Sequence, residues 1–168
     1  MKSIKKLILL VLFTYSASYA NTLVVERKKL PLSQSLPLLK SIDKHAMHIG
    51  RGAVDVYVFI DPHCPRSQEF ITLISQNMKM QSIYHYHIFL YELKRFKTKA
   101  LIEAIYASRD PKNAMIRIMV DKKIIKKDLL KDKKSLKTVR KIQAIKSVAD
   151  RIDVYKRPYL VLVKKRKK

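Results

Sequence analysis

Short apolar runs and longer periodic ones divide the chain into predicted strands and predicted helices. The clearest strand covers residues 54–60, where β-branched and aromatic residues follow one another almost without interruption. This composition is typical of a strand that is covered on both faces. The segments 83–91 and 159–163 predict two further strands, and 22–26 predicts a short one.

Helical spacing describes most of the other apolar positions. Phe70, Leu73, Ile74 and Met78 recur at this spacing and predict a helix that begins near Cys64. Further helices are predicted over 36–47, over 98–108, from the Asp110-Pro111 start signal onward and around 139–148. Both glycines of the chain lie in Gly50-Arg51-Gly52, which predicts a turn before the 54–60 strand. Strands that alternate with helices predict an α/β fold with a partly parallel sheet.

The N-terminus has the pattern of a secretory signal peptide. Three lysines within the first six residues precede an unbroken apolar run at 7–13 and a small-residue cleavage site at 18–20. The apolar run is too short for a membrane-spanning anchor. We therefore predict that residues 1–20 are a signal peptide and that the protein is exported to the periplasm.

The charge of the chain is strongly positive, with 37 Lys and Arg against 13 Asp and Glu and a formal net charge of +24. Solubility alone explains such a charge, and attraction to an anionic partner is the alternative. The basic tail, which we predict as the segment for an anionic surface, consists of Lys164, Lys165, Arg166, Lys167 and Lys168. The basic segment 122–141 lacks the interleaved aromatic residues of a single-strand binder, so no specific nucleic acid is predicted.

Cys64 is the only cysteine of the chain and lies where the first strong strand gives way to a helix. Unpaired N–H groups and the helix dipole favour a thiolate at a helix start. Pro65 suits the first helical position, where a missing N–H costs nothing. A lone cysteine in an exported protein is a reactive thiol, a partner in an intermolecular bond or an inert buried residue.

The segment 56–67, Val-Tyr-Val-Phe-Ile-Asp-Pro-His-Cys-Pro-Arg-Ser, resembles the active-site segment of thioredoxin-fold proteins. It is most similar to the periplasmic disulfide isomerase and oxidase group, the Dsb type. The resemblance implies an α/β, thioredoxin-like fold with a helical insertion that is C-terminally truncated, because the family adds a strand and a helix after its proline strand. Ser67 departs from the family pattern, since it replaces the second cysteine.

The resemblance also implies a domain organisation. Residues 54–163 form the thioredoxin-like domain, with the helical insertion around 95–150, and 164–168 are the basic tail. Residues 21–53 are an N-terminal extension and helix, too short for the dimerisation domain of the isomerases.

The expected catalytic residues surround Cys64. Arg66 would stabilise the thiolate, Ser67 could donate a hydrogen bond to it, and His63 could add charge or exchange protons. The family's cis-proline loop corresponds to Arg157, Pro158 and Tyr159, which are therefore the expected substrate-binding residues.

Two functions remain open at this point. Cys64 alone permits monothiol disulfide exchange or isomerase-like activity on protein thiols and disulfides, because a mixed disulfide can be released by a second substrate thiol. The alternative is a non-catalytic binding or assembly protein that recognises an anionic partner. Neither function requires a cofactor.

A metal site is the remaining chemical option. His85 and His87 share one face of the predicted 83–91 strand, and a continued 36–47 helix would place His45 and His48 one turn apart. The other candidate ligands are His63, Cys64 and Met47. Since no three of these have a diagnostic spacing, the sequence predicts no metal site.

Overall fold

The computed structural model describes residues 30–122 and 135–164. The predicted signal peptide, the predicted 22–26 strand and the tail residues 165–168 lie outside these ranges. Residues 123–134, which belong to the lysine-dense segment 122–141, also lie outside them.

Within the described ranges, a four-stranded mixed sheet forms the centre of the fold. Its strands are β1 (Met47–Ile49), β2 (Val54–Ile60), β3 (Tyr84–Leu90) and β4 (Tyr159–Lys164), and they lie in the order β1-β3-β2-β4. The β2 and β3 strands are parallel, whereas β1 pairs with β3 and β4 pairs with β2 in antiparallel fashion. The predicted partly parallel sheet is thus confirmed.

Six helices surround this sheet in the described ranges. They are α1 (Leu32–Ser41), α2 (Pro65–Gln76), α3 (Met78–Ile83), α4 (Lys99–Ala107), α5 (Pro111–Met119) and α6 (Leu136–Arg151), with short 3-10 helices at Asp43–His45 and Lys94–Phe96. Helix α5 packs against both α2 and α4, and α4 also packs against α6. None of the helices in 30–122 and 135–164 is long and apolar enough to cross a bilayer.

The central strands and the helix caps follow the sequence pattern. The last five residues of both β2 and β3 are buried, as expected for strands covered on both faces. The predicted start of α5 is confirmed, because the carboxylate of Asp110 accepts a hydrogen bond from the backbone N–H of Asn113 at 3.0 Å. This cap satisfies one of the N–H groups that a helix start leaves without an intrahelical partner.

The predicted glycine turn is held against the start of β3. Gly50 has a φ of 79°, which side-chain-bearing residues rarely adopt. The N–H of Arg51 donates to the carbonyl of Gln81 at 2.9 Å, and the N–H of Gly52 donates to Tyr84 at 3.2 Å. A Cβ on Gly52 would lie 1.9 Å from the backbone of Ile83, so this close approach excludes a side chain.

The predicted 36–47 helix is wrong at its C-terminal half. Helix α1 ends at Ser41, and Met47 belongs to strand β1. Met47 pairs with Ile88 and Ile49 pairs with Tyr86, so that both β1 residues are buried while His48 between them is exposed. Pairing with β3 therefore overrides the helical spacing that continued to Met47.

The helix predicted after Cys64 is also interrupted. Helix α2 ends at Gln76, and the side chain of Asn77 then caps the separate helix α3. Met78 is 84% exposed and Leu73 is 52% exposed, whereas Ile71 and Ile74 are fully buried. The buried face of α2 is therefore rotated from the predicted stripe, and Met78 is not part of it.

Candidate active site around Cys64

Cys64 occupies the N-cap position of α2, directly after the turn that follows β2. Its backbone N–H donates to the carbonyl of Asp61 at 3.1 Å, and its own carbonyl accepts from the N–H of Gln68 at 3.0 Å. Pro65 is the first helical residue, as predicted. The thiol is therefore held at a helix start, although Cys64 is only 3% exposed.

The sulfur contacts the loop that precedes β4. The thiol of Cys64 donates to the backbone carbonyl of Arg157, with a distance of 3.8 Å between sulfur and oxygen. The peptide bond between Arg157 and Pro158 is cis. Two residues more than 90 positions apart in the sequence are thus brought together, and both belong to the predicted site.

The side chain of Arg157 is a buried support for this loop. Its guanidinium donates to the carbonyls of Tyr91 at 3.0 Å, Val154 at 3.1 Å, Lys156 at 2.8 Å and Glu92 at 3.3 Å. It also lies 4.1 Å from the centre of the Tyr91 ring. Burial lowers the pKa of Arg157 from its ordinary value, against the opposing effects of Tyr91 and Asp61. The guanidinium therefore binds backbone carbonyls inside the protein and orients the loop that precedes β4.

Asp61 is a member of this region to which the sequence analysis gave no role. The residue is fully buried, and one carboxylate oxygen accepts from the backbone N–H of His63 at 2.9 Å. The other oxygen accepts from the N–H of Leu93 at 2.6 Å and from the Thr98 hydroxyl at 2.8 Å. These bonds tie the Cys64 turn to the segment that follows β3. An acidic residue directly after an apolar strand was the signal in the sequence.

The three predicted neighbours of the thiol lie in different surroundings. Ser67 is fully buried, and its hydroxyl oxygen accepts from the N–H of Asp61 at 3.4 Å. This hydrogen bond ties Ser67 to the end of β2, whereas the prediction placed its partner at the sulfur. His63 and Arg66 are both exposed. The contact of Cys64 with Arg157 is made to the backbone carbonyl of that residue.

The predicted substrate-binding loop divides into a buried and an accessible part. Tyr159 is 5% exposed, pairs with Phe59 across the sheet and contacts its ring at 6.5 Å between centroids. Burial raises the pKa of Tyr159. Pro158 is half-buried and lines a surface cavity of about 300 Å³. Pro158 is therefore the accessible member of this pair, while the Tyr159 side chain belongs to the core.

The fold divides the candidate metal ligands into one cluster and several outlying residues. His48, His85 and His87 each place a ring nitrogen within 4.8 Å of the other two. His45 lies in a 3-10 helix rather than one helical turn from His48, so that predicted pairing is wrong. Cys64 is not a member of the cluster.

No protein-family profile and no curated protein sequence matches this chain. Solved structures of ScsC from Proteus mirabilis do match. The catalytic domain of ScsC has a TM-score of 0.61 at 18% identity, over 80% of this chain and 85% of that one. ScsC in a compact conformation has a TM-score of 0.60 at 16% identity, over 96% of this chain and 82% of that one. ScsC in a transitional conformation has a TM-score of 0.59 at 16% identity, over 96% of this chain and 80% of that one.

These comparisons concern the fold, because the sequence identity is low. The mixed sheet, the helix that begins after Cys64 and the helices between β3 and β4 agree with the predicted thioredoxin-like fold and its helical insertion. The structure and the comparisons together show that this chain is an α/β protein with a thioredoxin-like fold.

Proposed function

We propose that the protein catalyses monothiol disulfide exchange on protein substrates through Cys64. The observation that supports this most directly is the position of the thiol, at the start of α2 and against the backbone carbonyl before Pro158. A helix start favours the thiolate that performs exchange. The structural likeness to a protein region described as a catalytic domain points in the same direction.

The reaction consists of two exchanges with no net oxidation. The Cys64 thiolate attacks one sulfur of a substrate disulfide, which forms a mixed disulfide and releases the other substrate sulfur as a thiolate. Ser67 has no sulfur and cannot resolve this intermediate. A second substrate thiolate attacks the substrate sulfur of the mixed disulfide instead, which restores the Cys64 thiolate and leaves a rearranged disulfide. The resulting activity is disulfide isomerisation.

Burial of Cys64 sets a requirement on this reaction. Attack on a substrate needs the sulfur in line with a disulfide bond, whereas the thiol is 3% exposed and bonded to the Arg157 carbonyl. A substrate segment must therefore approach along the Pro158 loop, where it displaces this contact. The accessible face of Pro158 provides the surface for that approach.

Reactivation of a protein with scrambled disulfides, in the presence of a small thiol, tests the proposal. The wild-type protein should accelerate reactivation, and Cys64→Ala should lose all of the acceleration. Circular dichroism of the variant verifies that it is folded. Equal rates for the wild type and for folded Cys64→Ala would overturn the proposal.

Ser67→Cys provides a gain-of-function test at the resolving position. The second thiol would attack the mixed disulfide from within the same chain, so that trapped substrate adducts become less abundant and disulfide reduction by the protein increases. Ser67→Ala is the matched control, because it changes the same buried position without adding a thiol. If Ser67→Cys and Ser67→Ala accumulate the same amount of adduct, a thiol at position 67 does not resolve the mixed disulfide.

The alternative function is binding without catalysis, and the burial of the only cysteine favours it. Here the thioredoxin-like fold recognises an anionic partner through its basic surface, including the tail from Lys164 to Lys168. Cys64→Ala would then keep the phenotype of the wild type, whereas removal of residues 164–168 would weaken partner binding. For disulfide exchange, by contrast, Cys64→Ala should abolish the activity.

We also propose that the protein works in the periplasm, because residues 1–20 carry the pattern of a signal peptide. N-terminal sequencing of the protein from cells should then begin at Asn21. A retained Met1 in cytoplasmic fractions would contradict this location.

A further inference from the structure

We propose that His48, His85, His87 and Asp55 form a binding site for a late first-row divalent metal ion, with Zn²⁺ as the representative ion. This site is separate from the Cys64 region and independent of the proposed exchange reaction. It uses three imidazoles from two strands and a carboxylate from a third.

The register of the sheet brings these side chains to one face. His48 of β1 pairs with His87 of β3, and Asp55 of β2 pairs with His85 of β3. His85 and His87 share a face because they are two residues apart in one strand. The ring centroids of His85 and His87 are 4.3 Å apart, and that of His48 lies 5.0 Å and 4.9 Å from them.

Two of the distances between donor atoms match a tetrahedral ion. Metal–nitrogen bonds of 2.0–2.1 Å in tetrahedral geometry place neighbouring ligand atoms about 3.4 Å apart. One oxygen of Asp55 lies 3.3 Å from Nδ1 of His85 and 3.3 Å from Nε2 of His87. The three histidines place their nitrogens within 4.8 Å of one another, and the ring of the exposed His48 packs against both other rings.

Asp43 orients the buried member of the site. Its carboxylate lies 2.5 Å from Nδ1 of His87, and the Tyr57 ring stacks on the same imidazole at 4.6 Å between centroids. We assign the ring proton to Nδ1, where it is donated to Asp43, so that the lone pair of Nε2 points toward Asp55 and His85. A carboxylate that holds the far nitrogen of a ligand histidine is a common outer contact of metal sites.

Access and charge also suit a small cation. A cavity of about 760 Å³ opens beside the cluster and is lined by His48 and His85, which gives an ion a path from solvent. Asp43 and Asp55 supply two negative charges to balance a divalent ion. Arg51 and Lys112 line the same cavity, and their positive charges oppose the binding of a cation. The two carboxylates contact the imidazoles directly, and they therefore dominate at the position of the ion.

The ligand types select the class of metal. Imidazole nitrogen is a preferred ligand of zinc, copper and nickel, whereas calcium and magnesium prefer sites made of oxygen. Three imidazoles and one carboxylate without sulfur thus specify a late first-row divalent ion.

The test is a Zn²⁺ titration of the full chain carrying Cys64→Ser, in competition with a chromophoric chelator. This background removes the thiol as a ligand, so that the result does not depend on the exchange reaction. We expect one Zn²⁺ per chain at saturation. His48→Ala, His85→Ala and Asp55→Asn should each weaken binding by about tenfold or more, as should Asp43→Asn through the outer contact.

His45→Ala and His63→Ala are the matched controls, because these histidines lie outside the cluster, and they should bind Zn²⁺ like the background. Co²⁺ in place of Zn²⁺ should give the visible spectrum of a tetrahedral nitrogen and oxygen site. His48 is exposed, so His48→Ala keeps the fold and provides a decisive comparison. Absence of saturable binding, or equal weakening by His45→Ala and His48→Ala, would overturn the proposal.

Discussion

Asp61 and Asp55 lie at the two ends of strand β2, and their surroundings differ in kind. Asp61 is fully buried and accepts hydrogen bonds from two backbone N–H groups and one hydroxyl. The side chain of Asp55 is 20% exposed and faces the rings of His85 and His87. One carboxylate is surrounded by fixed donors, and the other by imidazoles that donate or accept according to their tautomer.

This difference gives the two carboxylates different roles: Asp61 supports the structure of the loop, and Asp55 is a candidate metal ligand. Three donors point at the carboxyl group of Asp61, and these bonds orient the loop at Cys64. The imidazoles around Asp55 carry lone pairs when neutral, which a metal ion can use. The same residue type on one strand thus supports a thiol site at one end and a candidate metal site at the other.

Substitution of each aspartate by asparagine tests this comparison and has the largest expected effect. Asp61→Asn places an amide N–H against backbone donors, and we expect the free energy of unfolding to fall by about 2 to 4 kcal/mol. Asp55→Asn should change it by less than about 1 kcal/mol in the absence of metal, because Asp55 is partly solvated. Urea denaturation of both variants in the presence of a chelator measures the difference.

Thr98→Val is the control for the Asp61 network, since it removes one of the three donors and keeps the carboxylate. It should destabilise the protein by about 1 kcal/mol, which is less than Asp61→Asn. If the two aspartate variants lose equal stability, the distinction between the two ends of β2 is wrong.

Arg157→Lys has the next largest expected effect. Lysine keeps the charge but cannot replace the planar group that reaches four carbonyls, so the free energy of unfolding should fall by about 1.5 to 3 kcal/mol. A looser loop should also expose Cys64, and a chromogenic disulfide reagent should modify it faster than in the wild type. Arg151→Lys, at an exposed position of α6, is the control. Unchanged Cys64 labelling would show that Arg157 does not hold the loop over the sulfur.

The sequence predicted the elements in which consecutive residues are apolar or carry a local capping signal. It missed those whose burial depends on pairing with a distant part of the chain. Strands β2 and β3 were predicted because nearly every position is apolar or aromatic, and the Asp110 cap because its chemistry is local. Strand β1 was missed because three residues carry too short a pattern, and only the pairing with β3 shows that Met47 and Ile49 are buried. A single capping residue, Asn77, likewise ended α2 before its apolar spacing did.

The candidate sites follow the same division. The position of Cys64 at a helix start was visible in the local sequence. The support from Arg157 was not, because its bonds reach carbonyls as far as 66 residues away, at Tyr91. The histidine cluster was hidden for the same reason, since His48 joins His85 and His87 only through the sheet.

Alkaline pH should reveal one buried tyrosine, Tyr57, and one half-buried tyrosine, Tyr91, with a smaller effect on stability. Burial raises the pKa of Tyr57 to about 12 and that of Tyr91 to about 12. The unfolded chain loses these protons near pH 10 and the folded protein near pH 12, so their contribution to stability is complete below pH 10 and is lost as the pH rises through this window. Tyr57→Phe and Tyr91→Phe should each lose less stability than the wild type between pH 10 and 12, as measured by denaturation at both pH values.

A tyrosine variant that loses as much stability as the wild type over this range would contradict the assigned burial. Tyr155→Phe, at a position that is 50% exposed, is the control for the loss of a tyrosine hydroxyl.

Lys112→Met has the smallest expected effect and bears only on the Asp55 end of the sheet. Lys112 lines the cavity beside His48 and its charge acts on that imidazole. Removal of one positive charge at a solvated position should tighten Zn²⁺ binding by about two- to threefold at low salt, and the gain should shrink as salt screens the charge. Lys99→Met, at the start of α4, is the matched control and should leave the affinity unchanged. Weaker binding by Lys112→Met would show that Lys112 supports the site rather than opposing the ion.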